Sequence, residues 1–480
     1  MNRRMVLYMV GTVIKIEAAL MLLPLAVSVV YKESCTKDFL ISILIAVVTG
    51  FALTLLSKPG SKVIYAKEGF VIVSLAWIAL SAIGALPFYI SREIPSYIDA
   101  FFETVSGFTT TGASILSDVE AMSKGLLFWR SFTHWVGGMG VLVFVMAIIP
   151  RVSDRTIHIL RAEAPGPIVG KIVPKMKQTA TILYIIYIAM TVILVVLLLA
   201  GGMPVFDSLI HAVGTAGTGG FSTKADSIGS YSPYIQWVIT VAMIAFGINF
   251  NLYYFMLIKR YKSTIKNEEF MTYAAIVIIS TVIIAFNISP LYSTVSESIR
   301  HSAFQVATVI STTGFSTVDF NQWPGLAKTI LFILMFIGGC AGSTAGGLKV
   351  SRIVLLIKTI KRELKRLIHP RAVDVVRLDG KKVAETTLTS VHSYFAIYVA
   401  LFALVVILLG LDSFDLETNV TAAAACFNNI GPGLGAAGPA ESYALFSPFS
   451  KVILSLTMLL GRLEIMPLVL TFSPSTWMKK

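Results

Sequence analysis

Apolar residues dominate this chain in long uninterrupted runs. Spans near 6–30, 39–57, 69–90, 126–149, 180–201, 234–258, 271–288, 326–357, 392–411 and 449–472 are each long enough to cross a bilayer core of about 30 Å as a helix. The pattern predicts about ten crossings, with both ends of the chain on one side. The first run follows Met-Asn-Arg-Arg and extends from Val6 to about Val30. That is long for the apolar part of a signal peptide, and no clear small-residue cleavage site follows, so it is read as a retained first helix.

Lysine and arginine fall on alternate connections. One set is 150–179 (Arg151, Arg155, Arg161, Lys171, Lys175, Lys177), 259–267 (Lys259, Arg260, Lys262, Lys266) and 358–382 (including Lys358, Lys361, Arg362, Lys365, Arg366, Arg371, Arg377, Lys381 and Lys382). Arg3, Arg4, Lys479 and Lys480 at the two ends lie on the same side. Cations on the other side are sparse. Positive charge stays in the cytoplasm, so both termini are expected there.

Composition agrees. Hydrophobic residues make up 56% of the 480 and charged residues 14%, and the mean hydropathy is +0.80. A soluble domain carries about a quarter charged residues. Soluble enzymes, disordered chains and nucleic-acid-binding domains are therefore excluded, and the net charge of +13 reports orientation rather than a nucleic-acid partner. Cys35, Cys340 and Cys426 are scattered and suggest neither a disulfide framework nor a zinc site.

The outward connections carry the chemistry. Four of them are apolar and rich in Gly and Thr where a solvated loop would be polar. Each holds an apolar stretch too short to cross, ending in glycine, which is the signature of a half-helix that enters the membrane and returns as extended backbone. The four stretches align on a glycine: FETVSGFTTTG (102–112), LIHAVGTAGTG (209–219), FQVATVISTTG (304–314) and TAAAACFNNIG (421–431). Each has a crossing before it and after it. The unit helix, half-helix, Gly loop, helix occurs four times, which implies a pseudo-fourfold ring. Small residues also serve tight helix packing, but four copies in register favour the ring. Glycine lets the preceding carbonyls point at the axis, and rings of carbonyls can replace the hydration shell of a monovalent cation. The half-helices would aim their negative C-terminal ends at it. No acidic cluster stands at the four glycines, which argues against a divalent site.

These blocks carry a resemblance. VSGFTTTGAS (105–114), GTGGFST (217–223), STTGFST (311–317) and NNIGPGLG (428–435) look like the four filter segments of the Trk/Ktr/HKT superfamily of cation transporters. WVGGMGVLV (135–143) and LLGRLEIMPL (459–468) are similar to blocks beside them. The resemblance covers essentially the whole chain, and two extra helices within 6–57 point to the TrkH/TrkG branch.

It implies an all-α polytopic membrane protein with four M1–pore-helix–M2 repeats in pseudo-fourfold arrangement: a two-helix extension at 1–66 and repeats at 67–165, 166–267, 268–370 and 371–480. It implies K⁺ as the transported ion, with no organic cofactor in this chain. The cation-binding residues it implies are Thr110, Thr111 and Gly112; Gly217, Thr218 and Gly219; Thr312, Thr313 and Gly314; and Asn429, Ile430 and Gly431. Glycine in all four goes with potassium preference in this family, while the fourth segment departs from Thr-Thr-Gly. The implied partners are a second copy in a homodimer and a cytoplasmic, nucleotide-binding RCK-type ring like TrkA. The implied location is the prokaryotic inner membrane.

Two further features bear on gating. Gly338, Gly339, Gly342, Gly346 and Gly347, with Ser343 and Thr344 among them, interrupt a crossing. Five glycines in ten residues, each costing up to about 1 kcal/mol relative to Ala, do not sustain a helix. Non-helical backbone at membrane depth is tolerated where it is buried or lines water. The family has an intramembrane gate loop here; the alternative is a close-packing seam. Arg462 lies in an apolar run, where a guanidinium costs at least about 2.5 kcal/mol and needs a partner or a wet cavity. It matches the family's arginine in the last helix, a positive charge near the pore; the alternative is a structural pair with an acid, though Glu464 is two residues on and faces away. Lys15 with Glu17, and Asn249 with Asn251, read as structural, and His211 as an interior hydrogen bonder.

Against the transporter stand a coupled Na⁺/K⁺ symporter, which filter sequence does not exclude, and a polytopic membrane enzyme. The enzyme needs a catalytic set inside a span, such as paired Asp or HExxH, and the sequence has none. It also has no P-loop, so nucleotide control is left to a partner.

Overall fold

The computed structural model of the chain describes residues 1–60, 64–140, 176–371 and 374–478. It is almost wholly helical; among the described residues the β-structure is one tiny hairpin, Arg377–Leu378 against Lys381–Lys382.

Among the described residues six helices are long and apolar enough to cross a membrane: Arg3–Val30, Thr36–Leu56, Lys67–Ile90, Ala180–Ala200, Glu268–Leu291 and Glu385–Leu409. The first two are the extension, and the other four are the outer helices of the repeats. Their unpartnered faces expose residues such as Leu44, Val48, Ile193 and Ile407, as a lipid-facing surface requires.

The inner helices depart from expectation. Continuous crossings were expected at 126–149, 234–258 and 449–472, with a break in the third repeat alone. All four stop part-way: Lys124–Gly138, Pro233–Phe246, Gly325–Ile337 and Pro448–Arg462. In the second repeat the chain turns by 92° between Phe246 and Phe250. There the Gly247 carbonyl accepts from Cys340 N–H (2.9 Å) instead of continuing the helix, and Asn249 caps the next segment by accepting from Asn251 N–H. In the fourth, Glu464 and Ile465 both take left-handed φ (58° and 64°) before Met466–Phe472 resumes. The continuation of the first inner helix through 141–149 lies outside the described residues, as does most of the cationic loop 150–179.

Short pore helices sit between outer and inner helices: Tyr97–Phe108, Val205–Gly217, Val295–Ile310 and Leu416–Phe427. Each carries an acid in its first turn (Asp99, Asp207, Glu297, Glu417), where a carboxylate complements the positive end of the helix. Ser96 and Thr294 cap two of them by accepting from N–H groups three residues on. Prolines at the start of two inner helices (Pro233, Pro448) follow capping serines Ser232 and Ser447.

The two helices of the extension pack on each other through small residues. Gly11 and Gly50 meet where the first helix crosses Thr36–Leu56, and a Cβ on either would stand 3.0 Å from the carbonyl oxygen of the other. Lys15 does not pair with Glu17. It donates to Thr54 Oγ1 at 3.3 Å, while Glu17 is 1% exposed and neither of its oxygens is hydrogen-bonded.

The crossing yields a prediction. Gly50→Leu drives a side chain into Lys15 and the Gly11 carbonyl and should lower stability by roughly 1–3 kcal/mol, read as a lower melting temperature in detergent. Gly60→Leu, with nothing within 4 Å of its added Cβ, should leave the melting temperature near wild type.

Candidate functional site: a ring of four glycines

All four pore helices end in the same turn. The N–H groups of Thr110, Thr218, Thr312 and Asn429 return to the carbonyl three residues back, at 3.1, 3.0, 3.1 and 3.4 Å. The next N–H groups, on Thr111, Gly219, Thr313 and Ile430, return five residues back at 2.9, 2.9, 2.8 and 2.8 Å. This is the left-handed helix stop usually given to glycine. Here Thr, Thr, Thr and Asn hold φ of 56°, 55°, 54° and 55°, at a cost of order 1–3 kcal/mol each. Two residues further on come Gly112, Gly220, Gly314 and Gly431, with φ of 79°, 80°, 91° and 96°.

The four glycines close a ring. An ideal Cβ on Gly112 would strike the carbonyl oxygen of Gly219; on Gly220, that of Thr313; on Gly314, that of Ile430; and on Gly431 it would press on that of Thr111. Each repeat thus lays its glycine against the carbonyl that precedes the glycine of the next, and the fourth repeat returns to the first. Positive φ and lack of room both require glycine at these positions.

The ring corrects the register of the second repeat. Alignment on Gly219 selected Gly217, Thr218 and Gly219. By left-handed φ, by helix-stop hydrogen bonds and by ring contacts, the counterparts of Thr110-Thr111-Gly112 are Thr218, Gly219 and Gly220. Gly217 is instead the last residue of its pore helix, packed against the His134 carbonyl. The segment offers adjacent glycines; the shared Gly-Phe-Ser-Thr of 220–223 and 314–317 is the signal that sets the register. The other three segments stand as aligned.

The threonines and asparagines of the loops are buried. Thr109 and Thr111 share a hydroxyl contact at 2.8 Å, and Ser311 and Thr313 one at 2.7 Å. The fourth loop uses different chemistry. Asn429 donates to Thr111 Oγ1 (2.9 Å) and to the Met458 carbonyl (3.0 Å), tying repeat 4 to repeat 1, and Tyr398 donates to Asn428 Oδ1 at 2.9 Å. His134 stands behind the second loop, with Nδ1 2.7 Å from the Gly107 carbonyl and its ring against Gly219. His211 makes interior hydrogen bonds, to Asp207 O and Ser222 Oγ. Among the described residues no group of three His, Cys, Asp or Glu could hold a metal; the oxygens that lie against the ring glycines are backbone carbonyls.

Above the ring lies a cavity of about 150 Å³, lined by the ring glycines with Ser114, Arg130, Lys224 and Tyr443. Arg130 forms a buried ion pair with Glu103 at 2.5 Å. Sequence reasoning missed this pair and His134. The visible signal was a lone acid in the first half-helix and a lone base in the following crossing, each needing a partner at membrane depth.

Below the ring lies the glycine break. Gly338, Gly342 and Gly347 have φ of 71°, 74° and 73°. Gly346 N–H donates to Thr312 Oγ1 at 2.6 Å, and a Cβ there would press on the Asn428 carbonyl. Gly339 and Ser343 face each other across the loop. Phe250 N–H donates to the Gly342 carbonyl at 3.0 Å, and Glu269 Oε1 accepts from Ala341 N–H (2.7 Å) and Ser351 N–H (3.0 Å). Arg462 donates to the Thr344 carbonyl (2.8 Å) and to the carbonyls of Gly137 (2.5 Å) and Gly138 (2.7 Å). Glu464 pairs with Arg352. Arg462 therefore joins the loop to the end of the first inner helix.

Known proteins resemble this chain over its whole length. A family model described as TrkH, cation transport protein, matches residues 35–479. The Trk system potassium uptake protein TrkH of Salmonella typhimurium is 36% identical over 488 residues, spanning 99% of this chain and 100% of the relative. TrkG of Escherichia coli strain K12 is 34% identical over 483 residues, spanning 99% and 98%. The crystal structure of the potassium transporter TrkH from Vibrio parahaemolyticus matches with a TM-score of 0.89 at 31% identity, covering all of both chains.

The register is testable without a transport assay. A Cβ on Gly219 meets the His134 ring, whereas one on Gly220 meets the backbone of Thr313 and Gly314. Gly219→Ala should destabilise the wild-type chain by roughly 1–3 kcal/mol but cost little in a His134→Ala background, as a double-mutant cycle of melting temperatures would show. Gly220→Ala should be equally damaging in both backgrounds.

Proposed function

The chain belongs to the TrkH family of cation transport proteins, a family of transporters rather than enzymes, and we propose that it takes up K⁺ across the cytoplasmic membrane through the ring of four glycines. The observation that carries this reading is ring closure: four loops from four repeats meet edge to edge, each presenting carbonyls where its neighbour presents glycine. Its relatives are named as potassium uptake proteins.

K⁺ enters from the outer cavity and exchanges its hydration shell for carbonyl oxygens of the residues that precede Gly112, Gly220, Gly314 and Gly431. The negative ends of four pore helices favour a cation there. A large, easily dehydrated ion suits such rings better than Na⁺. The binding set is Thr110–Gly112, Thr218–Gly220, Thr312–Gly314 and Asn429–Gly431, in the four units 67–165, 166–267, 268–370 and 371–480.

The loop 338–347 and Arg462 act as the gate. The loop sits against the cytoplasmic side of the third and fourth filter segments, and Gly346 occupies the Thr312 hydroxyl. The Arg462 guanidinium adds electrostatic repulsion where water is scarce. The loop runs into Val350–Ile368 through Lys349, so a force on that cytoplasmic helix reaches the gate. A TrkA-like RCK ring docking on the basic connections supplies the force, with a homodimer as the functional assembly and both termini in the cytoplasm.

Expression in a potassium-transport-deficient bacterium should restore growth on low K⁺, with Rb⁺ taken up and Na⁺ and Li⁺ taken up far less. Equal K⁺ and Na⁺ flux would replace this reading with a Na⁺-permeable or Na⁺-coupled transporter. Deleting Ala341–Ala345, or Arg462→Ala, should raise K⁺ flux in the absence of the ring. Unchanged or lower flux in both, with normal protein levels, would make the break a packing seam. Deleting 361–382 should abolish control by the ring; intact control would remove that segment from the docking surface.

A further inference from the structure

Nine residues before the ring glycine, the four repeats carry Glu103, His211, Gln305 and Ala422; two residues after it, they carry Ser114, Ser222, Ser316 and Gly433. The first position is on the pore helix and the second on the strand that leaves the ring. In repeats 1 and 2 they are joined. Glu103 Oε1 accepts from Ser114 Oγ at 2.9 Å, and Oε2 accepts from Ile115 N–H at 2.9 Å. His211 Nδ1 lies 2.8 Å from the Asp207 carbonyl, so it carries the proton, and Nε2 lies 3.0 Å from Ser222 Oγ, whose hydroxyl is also within 3.2 Å of the Ser227 carbonyl. In repeat 3 both amide atoms of Gln305 are buried without a hydrogen-bond partner among the described residues. Ser316 is held from outside, its N–H donating to Ser227 Oγ at 3.2 Å. In repeat 4, Ala422 has nothing to offer.

Arg130 connects the two braced quadrants. Its Nε donates to Glu103 (2.5 Å), its Nη1 donates to the Ser222 carbonyl (3.3 Å), and its guanidinium lies 3.5 Å from the centre of the Phe221 ring. Arg130 and Glu103 are 3% and 1% exposed. A buried ion pair is weak evidence of a contribution to stability, because desolvation opposes it. This one is also aimed: among the described residues its side-chain hydrogen bonds go to Ser114, Ile115 and the Ser222 carbonyl, and its guanidinium lies on Phe221, all on strands leaving the ring.

We propose that Glu103 and Arg130, with His211, are positioning residues that hold the outer half of two filter quadrants at the spacing K⁺ requires, and so set discrimination against Na⁺. The proposal rests on the potassium-path reading above. A ring that can shrink accepts the smaller ion. Strands tied back to their own pore helices, and tied to each other through one guanidinium, resist that inward movement. Charge-assisted bonds suit the task because they are shorter and about twice as strong as neutral ones.

The test is the ratio of Na⁺ to K⁺ flux for the full chain reconstituted in vesicles, with melting temperature measured in parallel. Glu103→Gln should raise the ratio several-fold while K⁺ flux persists. It leaves a buried guanidinium unpaired, so its melting temperature should fall. Combining it with Arg130→Met removes both charges and should recover most of the melting temperature while leaving the ratio raised. Gln305→Leu, at the matching position in repeat 3, should keep the wild-type ratio. A double variant with the wild-type ratio would overturn the proposal, as would a Gln305→Leu variant whose ratio rises equally. Wild-type protein that passes both ions alike would overturn the potassium reading itself, and this inference with it.

Discussion

The architecture depends on one steric constraint: at four places a side chain is forbidden because a neighbouring repeat's carbonyl already occupies its space. Close-packed interiors yield little, so each contact fixes the distance between two quadrants, and four in a cycle fix the size of the opening. Left-handed threonines and an asparagine one step inside the ring are strained and persist because the surrounding packing over-determines them.

The rest of the molecule supports that ring from three directions. Behind it stand polar side chains: Glu103 and Arg130 in the first repeat, His134 between the first and second, and Asn429 between the fourth and first. Below it, the inner helices all stop, which leaves room for non-helical backbone at mid-depth. The loop 338–347 fills part of that room, with hydrogen bonds to Thr312 and Arg462 and to the broken second inner helix. Around it, outer helices present apolar residues outward, and the N-terminal pair packs through Gly11 and Gly50. Backbone groups freed by the breaks find partners within the protein, as a membrane interior demands.

Much of this was legible in the sequence, and for physical reasons. Span length follows from bilayer thickness, and repeat number follows from counting glycine-ended half-helices, so fold class and the location of the ring emerge from pattern alone. Three of the four aligned glycines, Gly112, Gly314 and Gly431, are the ones that join the ring. The second was misplaced by one residue because Gly219 and Gly220 stand side by side; the Gly-Phe-Ser-Thr that follows Gly220 and Gly314 separates them in the sequence, and the positive φ of Gly220 separates them in the fold. The breaks in the second and fourth inner helices were missed for a different reason. Gly247 and the pair Glu464-Ile465 sit within apolar runs whose hydropathy is that of a continuous helix; the break is made by tertiary partners, Cys340 N–H in one case and Arg352 in the other. The Glu103–Arg130 pair was visible only as two isolated charges, since residues so far apart in the chain are joined by the fold alone.

On the proposed function, the four-glycine ring binds a dehydrated monovalent cation on its axis. The most direct measurement is a structure of the full chain crystallised with Rb⁺ in place of K⁺, with anomalous differences recorded at the rubidium edge. A peak is expected on the axis among the carbonyls of Thr111, Gly219, Thr313 and Ile430, diminished when Na⁺ replaces Rb⁺. Rubidium bound elsewhere, with an empty axis in crystals that keep the ring closed, would contradict it.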